Sequence, residues 1–185
     1  MIPKDSIVRL EQAVDLRSLG QTLDEVMAAE VPSSSFNWCP FGPFGPIVNA
    51  NHQRAPLHSS EAAWRMFLDA LPRLEKEFFT FAQIFEHPSP VVSLERQFGR
   101  RYILRTDSYN AFRRVLDAEH ELMCRLGDAA LPMGIFAVAR GQADRDFDDR
   151  ERGVVATFRR VAETAVRAHT SLGSYGQELG RTLET

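Results

Sequence analysis

A chain of 185 residues has room for one domain with a substantial core, because a domain of this size buries roughly 70% of the surface that its unfolded chain exposes. Hydrophobic residues make up 44% of the sequence and charged residues 25%, which are ordinary globular values that indicate neither a disordered chain nor a coiled coil. The formal net charge of −3 speaks against a dedicated nucleic-acid binder, which usually carries a basic surface.

The amino-terminal part predicts a helix followed by an aromatic hairpin. Apolar residues recur every three to four positions from Ser6 to about Glu30, with Gly20 as a weak point in this helix. Phe36 and Trp38 then alternate as on a strand. A Pro/Gly cluster follows and cannot continue a regular element, so we expect a turn and a second strand that begins at 47–48.

Two aromatic helices are predicted next. Ser59 or Ser60 can accept a hydrogen bond from a backbone N–H of the first turn and so start a helix. Pro72 should interrupt this helix or start another turn. An amphipathic aromatic segment then runs to His87-Pro88, where it ends.

The remaining pattern predicts a short strand, a helix, a strand hairpin and a final helix. Residues 91–94 form the strand or its passage into a helix, and Asp107 or Ser108 caps the helix that follows. The hairpin joins 121–126 to 131–140, with Pro132 near a strand end. Asp148 and Glu151 form a capping box for the final helix, and we expect an irregular tail over 176–185.

Four short stretches follow one another in an order that resembles a known family. They are His87-Pro88 before Val91-Val92, Thr106 to Asn110 with Phe112, His120-Glu121-Leu122 before Gly134 to Arg140, and Arg145 to Arg152. Their arrangement from about Phe78 to His169 resembles the GAF-like sensor half of LuxR-type transcription regulators. The family shows a similar His-Pro exit from an early helix, a Tyr-Asn-x-Phe helix start, two consecutive central strands and an Arg-Asp-Phe opening of the last sensor helix.

The resemblance implies an α/β (α+β) fold in which helices flank a GAF-like antiparallel sheet. It implies a sensor domain over 1–175 and a cavity for a small molecule between sheet and helices. Such regulators continue into a helix-turn-helix domain. The sequence ends soon after the final sensor helix, so we expect no direct nucleic-acid contact by this chain.

Aromatic residues of the hairpin and of the next helices are the candidate ligand-binding residues, because ligand pockets are mostly apolar with a few placed polar groups. The full candidate set is Phe36, Trp38, Cys39, Phe41, Phe44, Trp64, Phe67, Phe81, Phe85, Tyr109 and His120. The competing interpretation is that they simply fill the core, since large aromatic side chains dominate core burial. Phe41 and Phe44 fit that interpretation less well, because they lie in a Gly/Pro loop.

Three functions remain open at this stage. The first is a sensor that binds a mostly apolar or aromatic ligand. The second is an enzyme on the same scaffold that uses Cys39 or the His120-Glu121 pair. The third is an interaction module that dimerises through its final helix.

No ligand motif for a metal and no cofactor motif occurs, so we expect neither. The sequence shows no signal peptide and no membrane-spanning run, which predicts a cytoplasmic protein without membrane contact. We also expect a homodimer, with the final helix passing the sensor's change to the dimer partner. Its densest arginine cluster should lie on a solvated face. That cluster is Arg96, Arg100, Arg101, Arg105, Arg113 and Arg114.

Overall fold

The computed structural model describes residues 4–13, 15–42, 45–46, 50–53 and 60–183. Its α-helices, α1 to α7, are Lys4–Glu11, Leu16–Glu30, Ser60–Glu77, Phe81–Glu86, Leu94–Phe98, Arg100–Ile103 and Asp149–Leu183. Its strands, β1 to β6, are Ser35–Gly42, Gly45–Pro46, Ala50–Gln53, Val91–Ser93, His120–Gly127 and Pro132–Arg140. A π-helix spans Tyr109–Arg113. No helix within the ranges given above is both long and apolar enough to cross a membrane.

The predicted long amino-terminal helix is two helices. Asp15 begins α2, because its side chain accepts a hydrogen bond from the Ser18 backbone N–H at 2.7 Å and Ser18 Oγ accepts one from the Asp15 backbone N–H at 3.1 Å. This capping box requires extended backbone at Asp15, so the chain cannot continue as helix from α1. Gly20 does not weaken α2 visibly and lies buried inside it.

The described strands form one antiparallel sheet in the order β2-β1-β6-β5-β4, and β3 pairs with β1 on the edge away from β6. The hairpin of β5 and β6 is confirmed, with Cys124 opposite Phe136 and Pro132 at the strand start. The second strand predicted at 47–48 lies outside the described residues. The α+β fold with helices on both sides of an antiparallel sheet is therefore confirmed.

Helices α1, α2 and α7 cover one face of the sheet with the largest apolar cluster. Its strand residues alternate with period two, as side chains on one face of a strand must. They are Phe36, Trp38, Leu122, Cys124, Leu126, Phe136 and Val138, and all are buried. Leu19, Leu23 and Met27 of α2 and Val155, Phe158 and Ala162 of α7 complete this layer.

The helices between β3 and β5 lie on the other face. Pro72 does not end α3, contrary to the prediction. Proline has no N–H to donate to the carbonyl one turn earlier, but Pro72 is solvent-exposed, so water can donate to that carbonyl instead. Further along, Thr106 Oγ1 accepts a hydrogen bond from the Tyr109 backbone N–H, and Glu77 accepts from the backbone N–H groups of Asp107 and Ser108. The helical segment that begins at Asp107 is thus stabilised at its start by Thr106 and Glu77, and not by the side chains of Asp107 or Ser108.

The predicted capping box of the final helix is confirmed. Asp148 Oδ1 accepts from the Glu151 backbone N–H at 2.8 Å, and Glu151 Oε2 accepts from the Asp148 backbone N–H at 2.9 Å. The α7 helix then continues to Leu183, so the backbone is helical over 176–183, where the sequence predicts an irregular tail. Glycine costs a helix only about 1 kcal/mol, which a long helix tolerates.

Glu151 also joins the sheet to α7. It receives two hydrogen bonds from Arg140 at the end of β6, at 2.5 and 3.2 Å, and two from Arg145 at 3.2 Å. Burial by itself raises the pKa of Glu151, but the hydrogen bonds from Arg140 and from the Asp148 backbone, with the two arginine charges, hold this pKa below its ordinary 4.5.

A lowered pKa makes the contribution of Glu151 to stability depend on pH. Such a carboxyl stabilises the fold above its unfolded pKa, and this stabilisation is lost as the pH falls through the folded pKa. We expect the difference in unfolding free energy between the natural chain and Glu151→Gln to be constant at neutral pH and to shrink below pH 4.5. Urea unfolding at a series of pH values measures this difference. Glu86→Gln, which removes one exposed carboxylate, controls for net charge, and a Glu151→Gln difference independent of pH would contradict the expectation.

Candidate ligand-binding site

The sheet face opposite α2 and α7 is the candidate site. Strand register arranges its residues in rows across β1, β6 and β5, because directly opposed residues share a face. One row is Asn37, Ala137 and Met123, and its neighbour is Cys39, Ile135 and Arg125. A third row is Ser35, Ala139 and Glu121.

The two faces of the sheet are covered unequally. Toward α2 and α7, the central row of Trp38, Phe136 and Cys124 is no more than 1% exposed. On the opposite face, Asn37, Cys39, Met123, Arg125 and Ile135 are only partly buried. Ser35, Ala137 and Ala139 of the same face are buried, so burial on this face is uneven.

An aromatic wall stands over this face. Phe98 lies between Phe78, Phe79 and Tyr102, with ring centroids 5.1, 5.0 and 5.8 Å away respectively. The wall reaches the sheet through Met123, which packs with Phe78, Phe79 and Phe98 against Leu94, Ile103 and Tyr109. An apolar layer thus faces the central row of the candidate site.

Polar groups lie at one end of the same face. Arg113 Nη2 donates to Glu121 Oε2 at 2.7 Å, and its guanidinium carbon lies 5.2 Å from the centre of the Phe78 ring. Arg113 is 2% exposed, so the prediction of a solvated face is wrong for this arginine. Its Nε and Nη1 atoms are buried and have no hydrogen-bond partner in the described part of the chain.

Phe36 and Trp38 lie on the other face of the sheet. Both are fully buried in the core against α2 and α7, and Trp38 Nε1 donates to the Leu16 carbonyl at 2.9 Å. Their burial and contacts are those of core residues, and the structure separates them from Cys39 by the thickness of the sheet.

Cys39 is on the candidate face, partly buried and opposite Ile135. Burial raises the pKa of its thiol to about 11. The thiol is therefore protonated at neutral pH, whereas nucleophilic catalysis needs the thiolate.

Two further candidates belong to the helical layer. The Tyr109 ring packs in the aromatic wall and its hydroxyl donates to Glu119 Oε2 at 3.0 Å. Burial, followed by this hydrogen bond, raises the pKa of Tyr109, so it acts as a donor. Phe85 is buried in α4, and its carbonyl accepts from Arg125 Nη1 at 2.5 Å.

The other aromatic candidates cannot be placed on either face. The backbones of Phe41, Trp64, Phe67 and Phe81 belong to β1, α3 and α4, and their side chains lie outside the described part of the structure. Phe44 lies outside the described residues altogether.

The His120-Glu121 pair is not a dyad. Successive side chains on a strand point to opposite faces, so Glu121 meets Arg113 while His120 points toward the α7 side. The partner of His120 is Glu95, whose Oε2 lies 2.6 Å from Nδ1. Sequence reasoning missed Glu95, Arg113, Asn37 and Met123, although the period-two pattern of β5 could have separated His120 from Glu121.

Comparison with solved structures identifies the fold. The ligand-binding domain of VqsR from Pseudomonas aeruginosa is similar with a TM-score of 0.63 and 13% identity over 89% of this chain and 94% of that one. The PixJ GAF domain of Thermosynechococcus elongatus aligns with a TM-score of 0.55 and 10% identity, covering 98% and 96%. CepR2 from Burkholderia cenocepacia, an N-acylhomoserine lactone dependent LuxR family transcription factor, aligns with a TM-score of 0.55 and 10% identity, covering 90% and 91%.

At these identities the similarity shows a GAF-like fold, of the kind also found in LuxR-type ligand-binding domains. No protein-family model and no curated protein sequence matches the chain.

Proposed function

We propose that this chain is a sensor domain that binds a small molecule on the sheet face opposite α2 and α7. The unequal burial of the two faces carries the proposal, since the central row of the core face is closed, whereas Asn37, Met123 and Ile135 on the other face are only partly buried. The GAF-like fold supports it, because solved structures with this fold include domains named for ligand binding.

The chemistry of the face favours a mostly apolar or aromatic ligand. Met123, Ile135 and Ala137 form an apolar floor, and the aromatic wall lies over it. Asn37 on this face can orient a ligand through its amide group. The ligand is thus held largely by apolar contact, with few polar contacts to fix its orientation.

The output of the sensor runs through α7. This helix packs on the core face of the same sheet, and Glu151 at its start is bonded to Arg140 of β6, the strand that carries Ile135 and Ala137. A ligand that shifts β6 therefore changes the position of α7 on the sheet. We extend the proposal to a cytoplasmic homodimer in which α7 passes this change to its dimer partner or to an attached domain that regulates transcription.

A thermal-shift experiment tests the proposal. Aromatic acids, long-chain acyl compounds and the dye anilinonaphthalene sulfonate are added to the protein as probes. At a hundredfold excess over its dissociation constant a ligand stabilises the fold by about 2.7 kcal/mol, or roughly 5–10 °C for a domain of this size. Ile135→Trp enlarges a partly buried side chain of the candidate face and should weaken binding of the stabilising probe at least about tenfold.

Ala129→Trp is the matched control, because it adds the same side chain to the exposed turn between β5 and β6. It should leave binding unchanged. The proposal is overturned if no probe stabilises the protein, or if the two tryptophan variants bind the stabilising probe equally well.

A further inference from the structure

A second cluster of polar groups lies on the α7 side of the sheet, away from the candidate ligand face. One ligand atom each from Glu95, His120 and Asp146 lies within 4.8 Å of the other two. The three residues come from α5, from the first position of β5 and from the segment that leads into α7. Residues distant in sequence thus converge at one point beside the start of α7.

The negative charge of this cluster exceeds the positive charge beside it among the described residues. In the described part of the chain the ionic neighbour of Asp146 is Arg96, whose Nε is 3.9 Å from Oδ2, beyond hydrogen-bonding distance. The Arg96 guanidinium instead donates to Asp149 at 2.9 Å. Two carboxylates therefore share the cluster with one imidazole and one arginine that forms no hydrogen bond to Asp146.

The His120 imidazole is the independent second feature. It is 1% exposed, its Nδ1 faces Glu95, and its Nε2 has no hydrogen-bond partner among the described residues. Buried polar atoms nearly always have a partner, so a ring nitrogen without one indicates a missing contact.

The candidate metal-ligating residues are also held in place by hydrogen bonds. Ser93 caps α5 by accepting from the Arg96 backbone N–H, which positions Glu95 in the first turn, and Ser93 Oγ lies 3.3 Å from Asp146 Oδ2. The backbone N–H of Phe147 donates to Asp146 Oδ1 at 2.8 Å. Ordered partners of this kind orient the ligands of metal sites in proteins.

We propose that Glu95, one ring nitrogen of His120 and Asp146 bind a divalent transition-metal ion, with Zn²⁺ as the best fit. Imidazole favours zinc over magnesium or calcium, and carboxylates and water complete the tetrahedral or five-coordinate shell of a zinc ion that has three protein ligands. The bound ion contacts a ring nitrogen of His120 and one carboxylate oxygen each of Glu95 and Asp146. It joins α5 to the segment that begins α7. The site lies on the α7 side of the sheet, away from the candidate ligand face, and is therefore independent of the proposed ligand-binding function.

Zinc binding to the tag-free chain tests the proposal by competition with a chromophoric chelator. We expect one equivalent of Zn²⁺ to bind. Glu95→Gln and Asp146→Asn should each weaken binding at least about tenfold. Both side chains are partly exposed, so these isosteric variants keep the fold. Arg96→Gln removes the nearest competing cation and should tighten binding by roughly two- to fivefold.

Asp107→Asn and His87→Asn are matched controls outside the cluster and should leave the affinity unchanged. X-ray absorption should show nitrogen and oxygen at about 2.0–2.1 Å, including one imidazole, and no sulfur. Absence of stoichiometric zinc, a sulfur ligand, or equal affinities of Glu95→Gln, Asp146→Asn and the controls would each overturn the proposal. In those cases Glu95 and His120 form an ordinary hydrogen-bonded pair.

Discussion

Replacing Arg140 by methionine is expected to lower the free energy of unfolding by about 3 kcal/mol, because removal of one partner leaves the other buried and charged. Arg140 and Glu151 are both nearly inaccessible to solvent, and they share two hydrogen bonds. Arg140 Nε also donates to the Pro32 carbonyl at 2.6 Å, and the guanidinium carbon lies 4.2 Å from the centre of the Phe147 ring. Urea unfolding at pH 7, followed by circular dichroism, measures the change.

Arg145→Met is the matched control. Arg145 bonds the same two oxygens of Glu151, but its side chain is 62% exposed, and exposed ion pairs contribute only about 0–1 kcal/mol. The double variant Arg140→Met/Glu151→Gln removes the stranded charge and should recover about 1–2 kcal/mol of the loss. Equal costs for Arg140→Met and Arg145→Met would show that burial of the pair does not decide its strength.

Local patterns were sufficient to predict the hairpin of β5 and β6 and the start of α7. Alternating apolar residues define a strand with a buried face, and the Asp148–Glu151 spacing of a capping box is contained in four consecutive residues. Local chemistry also explains why the prediction of one continuous amino-terminal helix is wrong at Asp15. Its capping box with Ser18 is an equally local signal, which the longer apolar periodicity of the segment concealed.

The sequence predicts which strand residues share a face of the sheet, but not which of the two faces they occupy. Alternation places Phe36 with Trp38 and Asn37 with Cys39, yet both sides of the sheet are covered by apolar helices. Only the packing of α2 and α7 decides that the aromatic pair belongs to the closed core. Aromatic bulk alone therefore did not show that Phe36 and Trp38 lie in the core cluster.

Polar contacts between segments distant in the chain could not be predicted from the sequence. Glu95 and His120 are 25 residues apart, and Ser93 and Asp146 are 53 apart. The sequence offered Glu121 as the neighbour of His120, and the strand geometry turns that neighbour to the other face, where it neutralises Arg113. The same geometry explains why an arginine in a charged run is buried.

Replacing Gly20 by alanine should destabilise the protein, whereas the same replacement of an ordinary helical glycine stabilises it. A Cβ at position 20 would lie 2.5 Å from Cδ1 and 2.9 Å from Nε1 of Trp38. The indole cannot move away easily, since it is fully buried and bonded to the Leu16 carbonyl. We expect Gly20→Ala to destabilise the fold by about 2 kcal/mol, as overpacking outweighs the gain in helix propensity. The free energy of unfolding in urea is the measurement.

Gly153 provides the control that separates helix propensity from packing. It lies in α7 with open space around the position of an added Cβ, so Gly153→Ala should stabilise the protein by about 1 kcal/mol. In a Trp38→Leu background, which removes the Nε1 atom and lets the shorter side chain rotate, Gly20→Ala should become neutral or slightly stabilising. A destabilisation that persists in that background would place the conflict elsewhere. Its disappearance would show that the small residue in α2 is required by the indole, and that the core face is closed by fit between the two.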